Sequence, residues 1–243
     1  MRRAALLMVL MFVFAVSVSA QDTMPTPTAT EALCFSHNGT IDEKTGQCQQ
    51  HMNLDLKMDY PLELVDYPFI TDAVDSYYEQ VRLNFMNEAQ SSGFAPSPVF
   101  NWELYVSYDI AAQTDSLISV IFYDYEFTGG AHGNTGLRSM TFDLKSEGEL
   151  TLADLFSGGT VPYDTIASYA AKTLEDRLGA DATFPQGYTP DPANFQFWTL
   201  APDGITFYFA QYQVAPYAAG IQKVTIPLAD LGLSDLSYVS AGS

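Results

Sequence analysis

A glycine-rich segment between two β patterns is the feature that most constrains how this chain can fold. Residues 127–135 read Phe-Thr-Gly-Gly-Ala-His-Gly-Asn-Thr, between an aromatic-rich β pattern at residues 117–126 and a second β pattern at residues 137–144. Glycine allows positive φ angles and lets another group approach the backbone closely. The segment therefore predicts an unusual junction between two strands, without indicating what the junction does.

The strand before the junction changes character along its length. Its first half is apolar on both faces, and one face then turns polar as the strand nears the glycines. That face carries Ile118, Val120, Phe122, Asp124, Glu126 and Thr128.

The other periodicities predict an α+β fold with a mostly antiparallel sheet and two main helices. Apolar residues recur at helical spacing over residues 69–91, and a second helix is predicted for residues 162–178, with Thr160 as its cap. A short helical turn is predicted at residues 151–156. Strands are predicted at residues 53–60, 99–111, 117–128, 137–144, 195–200, 205–210 and 222–226.

The N-terminus has the pattern of a secretory signal. Arg2 and Arg3 precede an apolar run at residues 4–16, and small residues before Gln21 form a cleavage site. We expect residues 1–20 to be a signal peptide and the mature chain to be secreted or extracytoplasmic. An uncleaved membrane anchor is the alternative, although a span needs about 20 residues. Residues 21–33 form a Pro/Thr linker that is expected to stay extended.

The charge of the chain is strongly negative. Its formal charge is −19, and removing Arg2 and Arg3 would leave eight Lys and Arg against 29 Asp and Glu, a charge of −21. Such a chain will not bind nucleic acid through a phosphate-neutralising surface. It is steered toward cationic partners, and the alternative is that the acidity only keeps an exported protein soluble.

The two cysteines predict one disulfide. Cys34 and Cys48 are the only cysteines, and in an exported protein this spacing favours a bond that staples the segment 34–52. Turn signals at residues 38–39 and 44–46 favour a hairpin in this segment. A zinc site that adds the nearby histidines is the alternative, but the spacing fits no common zinc finger.

His132 is the most conspicuous candidate for chemistry, because it is the only histidine outside the N-terminal region. Asp124, Glu126 and Asp143 are candidate partners for its ring if the two strands pair across the junction. No known catalytic motif accompanies them, so no catalytic residue is assigned. The alternative is structural: His132 bonds the backbone of a glycine-rich turn and fixes its shape.

Ligand contacts are predicted at the junction and in an aromatic segment near the C-terminus. Tyr208, Tyr212 and Tyr217 could line a groove, because tyrosine suits recognition surfaces, although each could instead pack in the core. An oxygen-rich metal site at the junction is a further alternative, and no metal or cofactor is predicted. The predicted ligand-binding residues are Thr128, Gly129, Gly130, His132, Gly133, Asn134, Tyr212 and Tyr217.

Three stretches together resemble a known family. They are YEFTGGAHGNT at residues 125–135, FDL through LTLADLF at 142–156, and DGITFYF through YQVAPYAAG at 203–220. They are similar to the RsiV-like extracellular domain of unknown function, found in lysozyme-responsive RsiV anti-sigma factors and beside the catalytic domain of PdaC-type peptidoglycan deacetylases. The resemblance covers about residues 50–232. It implies an α+β exported binding domain, which receives lysozyme in the RsiV-type members.

These observations lead to an expected organisation and function. Residues 53–115 form a strand-helix-strand part and residues 116–243 the RsiV-like C-terminal part, expected as a stand-alone exported domain. We expect a non-catalytic envelope binding domain whose partner is a cationic protein such as lysozyme or a cell-wall glycan. The alternative is a hydrolase that acts on cell-wall glycan through His132 and nearby carboxylates.

Overall fold

The computed structural model describes residues 28–29, 31–32, 40–46, 48–49, 54–91, 101–234 and 236. The helices in these ranges are α1 (Pro68–Ser91) and α2 (Tyr163–Leu178). The strands are β1 (Thr40–Ile41), β2 (Cys48–Gln49), β3 (Leu54–Met58), β4 (Trp102–Gln113), β5 (Leu117–Phe127), β6 (Asn134–Asp143), β7 (Gly148–Glu149), β8 (Trp198–Ala201), β9 (Gly204–Phe209) and β10 (Gln222–Ile226).

The strands form a five-stranded sheet in the order β3-β4-β5-β6-β7, a three-stranded sheet in the order β10-β9-β8, and the small hairpin β1-β2. All pairs are antiparallel except β3 with β4. That pair is parallel because α1 connects the two strands as a crossover, whereas a tight hairpin would make them antiparallel. The predicted α+β fold with a mostly antiparallel sheet and two main helices is confirmed.

Strand β5 lies at the centre of the large sheet and is buried on both faces. Its even-numbered apolar residues pack in one cluster with the buried stripe of α1, which includes Ile70, Val74 and Phe85. Burying each such side chain contributes about 1.5–3 kcal/mol. The amphipathic stripe of α1 is therefore core, as its periodicity predicts.

The opposite face of β5 packs against the three-stranded sheet. Leu117 joins a cluster that contains the buried face of α2 and the inner residues of β9 and β10, and Ile121 packs with Leu137 and Tyr208. Tyr208, a candidate groove residue in the sequence, is therefore a core residue and is 5% exposed.

Two buried serines connect the sheets. Ser119 Oγ lies 2.7 Å from Thr141 Oγ1 and accepts a hydrogen bond from Leu200 N (3.0 Å), and Ser139 Oγ accepts one from Trp198 N (3.0 Å). The side chains of β5 and β6 thus satisfy backbone donors of β8, which would otherwise be buried without a partner.

Helix α2 begins at Tyr163, and the residue at its N-cap is Pro162, with no side-chain cap hydrogen bond. The predicted cap at Thr160 is therefore wrong, because residue 160 precedes the first helical residue by three positions. The predicted turn at residues 151–156 is confirmed: Thr151 and Asp154 cap each other reciprocally in a capping box.

The structure describes only part of the N-terminal region, so only some of the predictions for this region can be compared with it. The β1-β2 hairpin places Ile41 opposite Cys48, but Cys34 and residues 1–20 lie outside the described residues, so the disulfide and the signal peptide stay predictions. In the linker, Ala32 N donates to Thr28 O (2.8 Å). This part of the linker is a helical turn and not the extended chain that its composition predicts, because Thr28 and Glu31 cap it.

In the part of the chain that the structure covers, no helix has the length and apolarity needed to cross a membrane.

We expect Ser119→Ala to lower the free energy of unfolding by about 1–3 kcal/mol, because Leu200 N–H would remain buried without its acceptor. Ser168→Ala, at an exposed hydroxyl on α2, is the matched control and should change stability by about 0.5 kcal/mol or less. Urea denaturation at pH 7 measures both values. Equal losses in the two variants would mean that Ser119 does not stabilise the contact between the sheets.

Candidate functional site

The junction is the turn between β5 and β6. The ladder between these strands continues in register to the pair Glu126 and Asn134, so β6 begins three residues earlier than the sequence pattern predicts. Pairing with β5 extends the strand into the motif despite its glycines. At the turn itself, Gly129 and Gly130 have φ angles of 101° and 103°, a region in which side chains are strained.

Two further glycines allow close packing. A Cβ on Gly133 would lie 2.4 Å from the carbonyl oxygen of Glu126 and 2.5 Å from Cζ of Tyr125, so any side chain there would clash. A Cβ on Gly136 would lie 2.4 Å from Oδ2 of Asp124. These glycines therefore accommodate two successive side chains of β5, which point to opposite faces of the sheet.

An aromatic group covers the junction, and we define it as His132, Tyr212 and Tyr217. The rings of His132 and Tyr217 stack at 3.8 Å between centroids with 20° between their planes, and Tyr212 lies 5.5 Å from Tyr217. Tyr212 is 55% exposed. The group therefore presents stacked rings to solvent beside a glycine turn.

Hydrogen bonds fix the aromatic group to the junction. The Tyr217 hydroxyl donates to Gly133 O (2.8 Å), and Nδ1 of His132 lies 3.0 Å from the same oxygen. If Nδ1 carries the proton, Nε2 is left as an acceptor for the Tyr212 hydroxyl 3.5 Å away. His132 thus lies within hydrogen-bond distance of the backbone of the glycine-rich turn, as expected if its role is to fix the shape of the turn.

The segment between β9 and β10 brings the two tyrosines to the junction. Gln211 Oε1 accepts a hydrogen bond from Thr135 N (3.1 Å), while Val214 and Ala215 are buried. Tyr212 itself has a φ angle of 66°, in the left-handed region that costs a bulky residue energy. The surrounding contacts therefore hold Tyr212 outward in an unfavourable backbone conformation.

The eight predicted ligand-binding residues fall into two sets. His132, Gly133, Tyr212 and Tyr217 come together in one place, although 84 positions separate the two residues of the Tyr217–Gly133 bond. The others form the turn or the first pair of the ladder and are Thr128, Gly129, Gly130 and Asn134. Their role in binding stays a prediction.

None of the three carboxylates predicted to assist His132 bonds to its ring in the described part of the chain. Glu126 pairs with Asn134 in the β5-β6 ladder, Asp124 accepts a hydrogen bond from the Tyr77 hydroxyl (3.0 Å) on α1, and Asp143 lies at the far end of β6, where it binds Ser146. Among the residues that the structure describes, the hydrogen bonds and ring contacts of His132 are with Gly133, Tyr212 and Tyr217, and no three metal-binding side chains are grouped.

A cleft that the sequence analysis missed lies between α1 and β6. Its volume is about 700 Å³, and Tyr77, Asp124, Gly136 and Arg138 contribute to its walls. Arg138 forms an ion pair with Glu149 at 2.7 Å. The sequence feature that could have indicated this cleft was Asp124, a carboxylate that continues the buried face of a strand. The hydrogen bond of Asp124 with Tyr77 depends on the packing of α1, which the sequence does not show.

Two carboxyl groups near the end of β5 have perturbed acidities, and the first of them, Asp124, lines the cleft. Burial raises the pKa of Asp124 above its ordinary value, and the hydrogen bond from Tyr77 opposes that rise. Burial also raises the pKa of Glu126, with further contributions from the negative charges of Asp124 and Glu88. Both groups are therefore carboxylates that lack a compensating cation.

Two family models match this chain. The model described as deacetylase PdaC matches residues 46–135, and the model described as a protein of unknown function, DUF3298, matches residues 153–229. The aromatic group combines both parts, because His132 lies in the first match and the two tyrosines lie in the second.

Several known proteins are similar to this chain. Esterase Rv3036c of Mycobacterium tuberculosis is 27% identical over 198 residues, which is 80% of this chain and 85% of that protein. Peptidoglycan-N-acetylmuramic acid deacetylase PdaC of Bacillus subtilis is 30% identical over 127 residues, 51% of this chain but only 27% of that protein. Immunogenic protein MPT64 of M. tuberculosis is 25% identical over 202 residues, 82% of this chain and 86% of that protein.

A solved structure has a similar fold. A DUF3298 family protein of Pseudomonas aeruginosa superimposes with a TM-score of 0.53 at 20% identity, covering 74% of this chain and 82% of that one. At this identity the similarity shows the fold alone.

We expect Asp124→Asn to gain stability relative to the parent as the pH rises from about 3 to 7. The raised pKa means that folded Asp124 keeps its proton at pH values where the unfolded chain has released it, so ionisation at higher pH opposes folding. Urea denaturation across this range measures the difference in the free energy of unfolding.

Asp143→Asn is the control, because its hydrogen bond from Ser146 lowers the pKa of Asp143. Its stability relative to the parent should fall slightly over the same range. A pH-independent difference for Asp124→Asn would contradict the raised pKa.

Proposed function

We propose that this chain, an RsiV-like domain protein in which PdaC-type and DUF3298 parts are joined, is an exported, non-catalytic binding protein of the cell envelope. The aromatic group is its binding surface. Two partners are proposed: a cell-wall glycan, which stacks on the rings, and a cationic protein such as lysozyme, which the negative charge attracts.

The observation that carries the proposal is the exposed stack of His132, Tyr212 and Tyr217 on a rigid turn. Tyrosines offer a large contact area with few rotatable bonds, so little entropy is lost when they bind. Their hydrogen bonds to the junction hold the surface in shape before any ligand arrives. The C–H face of a sugar ring is the type of ligand surface that stacks on such rings.

Two observations support the envelope location. The N-terminus has the pattern of a secretory signal. One relative is named for a peptidoglycan substrate, although this chain matches only 27% of that protein.

The contacts of His132 support a non-catalytic role. In the described part of the chain, no serine, threonine or cysteine side chain bonds to His132, and no carboxylate orients its ring. A histidine that activates a nucleophile needs that nucleophile within hydrogen-bond reach. His132 instead holds the turn and contributes a ring to the surface.

We expect a tetramer of N-acetylglucosamine to bind saturably in calorimetry, and Tyr212→Ala to weaken this binding at least about tenfold, equivalent to about 1.4 kcal/mol. Phe184→Ala removes another exposed aromatic ring and should leave the affinity unchanged. If Tyr212→Ala and Phe184→Ala bind equally well, the aromatic group is not the glycan surface.

The affinity for lysozyme is measured by calorimetry in the same way, at low and at near-physiological salt. Affinity that survives the added salt indicates a shaped interface, whereas affinity that vanishes indicates only charge attraction and contradicts lysozyme as a specific partner.

A second candidate function is ester hydrolysis, which the similarity to esterase Rv3036c over 80% of this chain favours. The raised pKa of Asp124 in the cleft is compatible with acid-base chemistry there. If the protein only binds its ligand, it should hydrolyse p-nitrophenyl butyrate no faster than buffer without protein does. Turnover that Asp124→Asn or His132→Ala lowers at least about 100-fold, with folding retained, would establish the hydrolase instead.

A further inference from the structure

Among the residues that the structure describes, one side of β6 has no neighbouring strand over most of its length. Strand β5 pairs with β6 from end to end, but β7 pairs only with Phe142 and Asp143. Within the described chain, residues 136–140 therefore form an open sheet edge. Open edges can receive a further strand from another molecule.

The direction of the backbone groups along this edge follows from two hydrogen bonds. Thr135 N donates to Gln211 Oε1, and Thr141 O accepts from Leu150 N (2.6 Å), so both residues direct backbone groups away from β5. The β5-β6 register continues without a bulge. Because these groups alternate along an antiparallel strand, Leu137 and Ser139 point the same way.

The outward N–H and C=O groups of Leu137 and Ser139 have no hydrogen-bond partner among the described residues. Both residues are only 8% exposed. Leu137 nevertheless lines the cleft and Ser139 lines a neighbouring cavity, so open space borders both residues. These two donors and two acceptors have the spacing of a strand ladder and lack the strand that would pair with them.

Helix α1 runs beside this edge in the opposite direction. Phe69 packs on Phe142 at 5.9 Å, Tyr77 bonds Asp124 in the middle, and the charge of Glu88 acts on Glu126 at the far end. The cleft of about 700 Å³ lies between the helix and the edge. It is therefore an elongated groove with a helix as one wall and an unpaired strand edge as the other.

The length of the groove suits a short extended peptide. Its helical wall runs from Ala73 to Asn84, about 16 Å at 1.5 Å per residue, which equals about five residues of strand. A second cavity of about 220 Å³ borders Ser139 and Thr141 and meets the groove at Arg138 and Glu149. Open space thus follows the edge on both sides of this ion pair.

The charge of the groove selects the kind of peptide. Asp124 lines the groove where the Tyr77 hydroxyl bonds it. Arg138 is occupied by Glu149. A lysine or arginine side chain beside Asp124 would supply a positive charge, while the buried side chains of Val81 and Met140 offer apolar contacts.

The geometry points to a peptide-binding site: the groove takes an extended basic segment of a partner protein, which adds to β6 as a strand through Leu137 and Ser139. Helix-flanked sheet edges bind peptides in this way, with main-chain hydrogen bonds for affinity and pockets for alternate side chains. A second copy of this chain is a poor occupant, because it carries the same charge of −19. This site is separate from the aromatic group and does not depend on glycan binding.

The probe is the blocked hexapeptide acetyl-(Val-Lys)₃-amide at 150 mM salt. We expect saturable binding, together with at least about tenfold slower exchange of the amide hydrogens of Leu137 and Ser139 when the peptide is bound. The peptide with N-methyl groups on alternate amides keeps its charge but cannot pair as a strand, so it should bind at least about tenfold more weakly. The corresponding Val-Glu peptide should not bind.

Gln80→Trp fills the groove from the exposed helical wall and should abolish peptide binding. Leu83→Trp, at a residue of α1 that is 44% exposed and does not line the groove, is the matched control and should bind as the parent does. Glycan binding should be unchanged in both variants, which keeps this test independent of the aromatic group.

Three results would overturn the inference. One is an absence of binding by the Val-Lys peptide. Another is equal binding of its N-methylated form without protection of Leu137 and Ser139, which would leave only charge attraction. The third is a dimer in sedimentation that protects the same two amides, because the occupant would then be a second copy of this chain.

Discussion

The burial of β5 on both faces is the constraint on which the rest of the structure depends. A strand that is apolar on two sides must be covered by two layers. Helix α1 covers one face and the three-stranded sheet covers the other. Buried hydroxyl groups on β5 and β6 then satisfy backbone donors of β8, so hydrogen bonding joins the layers that the apolar contacts bring together.

Both candidate sites arise where this double burial ends. Tyr125 and Asp124 are successive residues of β5 and therefore point to opposite faces of the sheet. Each approaches a glycine of the next strand segment too closely for a Cβ: Gly133 beside Tyr125 and Gly136 beside Asp124. Gly133 then accepts the hydrogen bond that holds the aromatic group, while Asp124 opens onto the groove along α1.

The relatives carry different activities in their names, an esterase and a deacetylase. One fold can support several functions, so the site and not the fold must decide. In this chain His132 bonds a backbone oxygen and the Tyr212 hydroxyl and stacks on Tyr217, whereas Asp124 bonds Tyr77 on the other side of β5. Strand β5 therefore separates His132 from Asp124, one of the carboxylates that the hydrolase hypothesis pairs with it.

Local patterns in the sequence determined much of the architecture: the apolar stripe of α1, the helical turn at residues 151–156 and the glycine turn after β5 all depend on near neighbours in the chain. They also placed His132, Tyr212 and Tyr217 among the candidates. Only the tertiary structure decided that these rings stack, that Asp124 meets Tyr77, and that β6 keeps an open edge beside α1. Each of these depends on contacts between residues distant in the chain, which local periodicity does not encode.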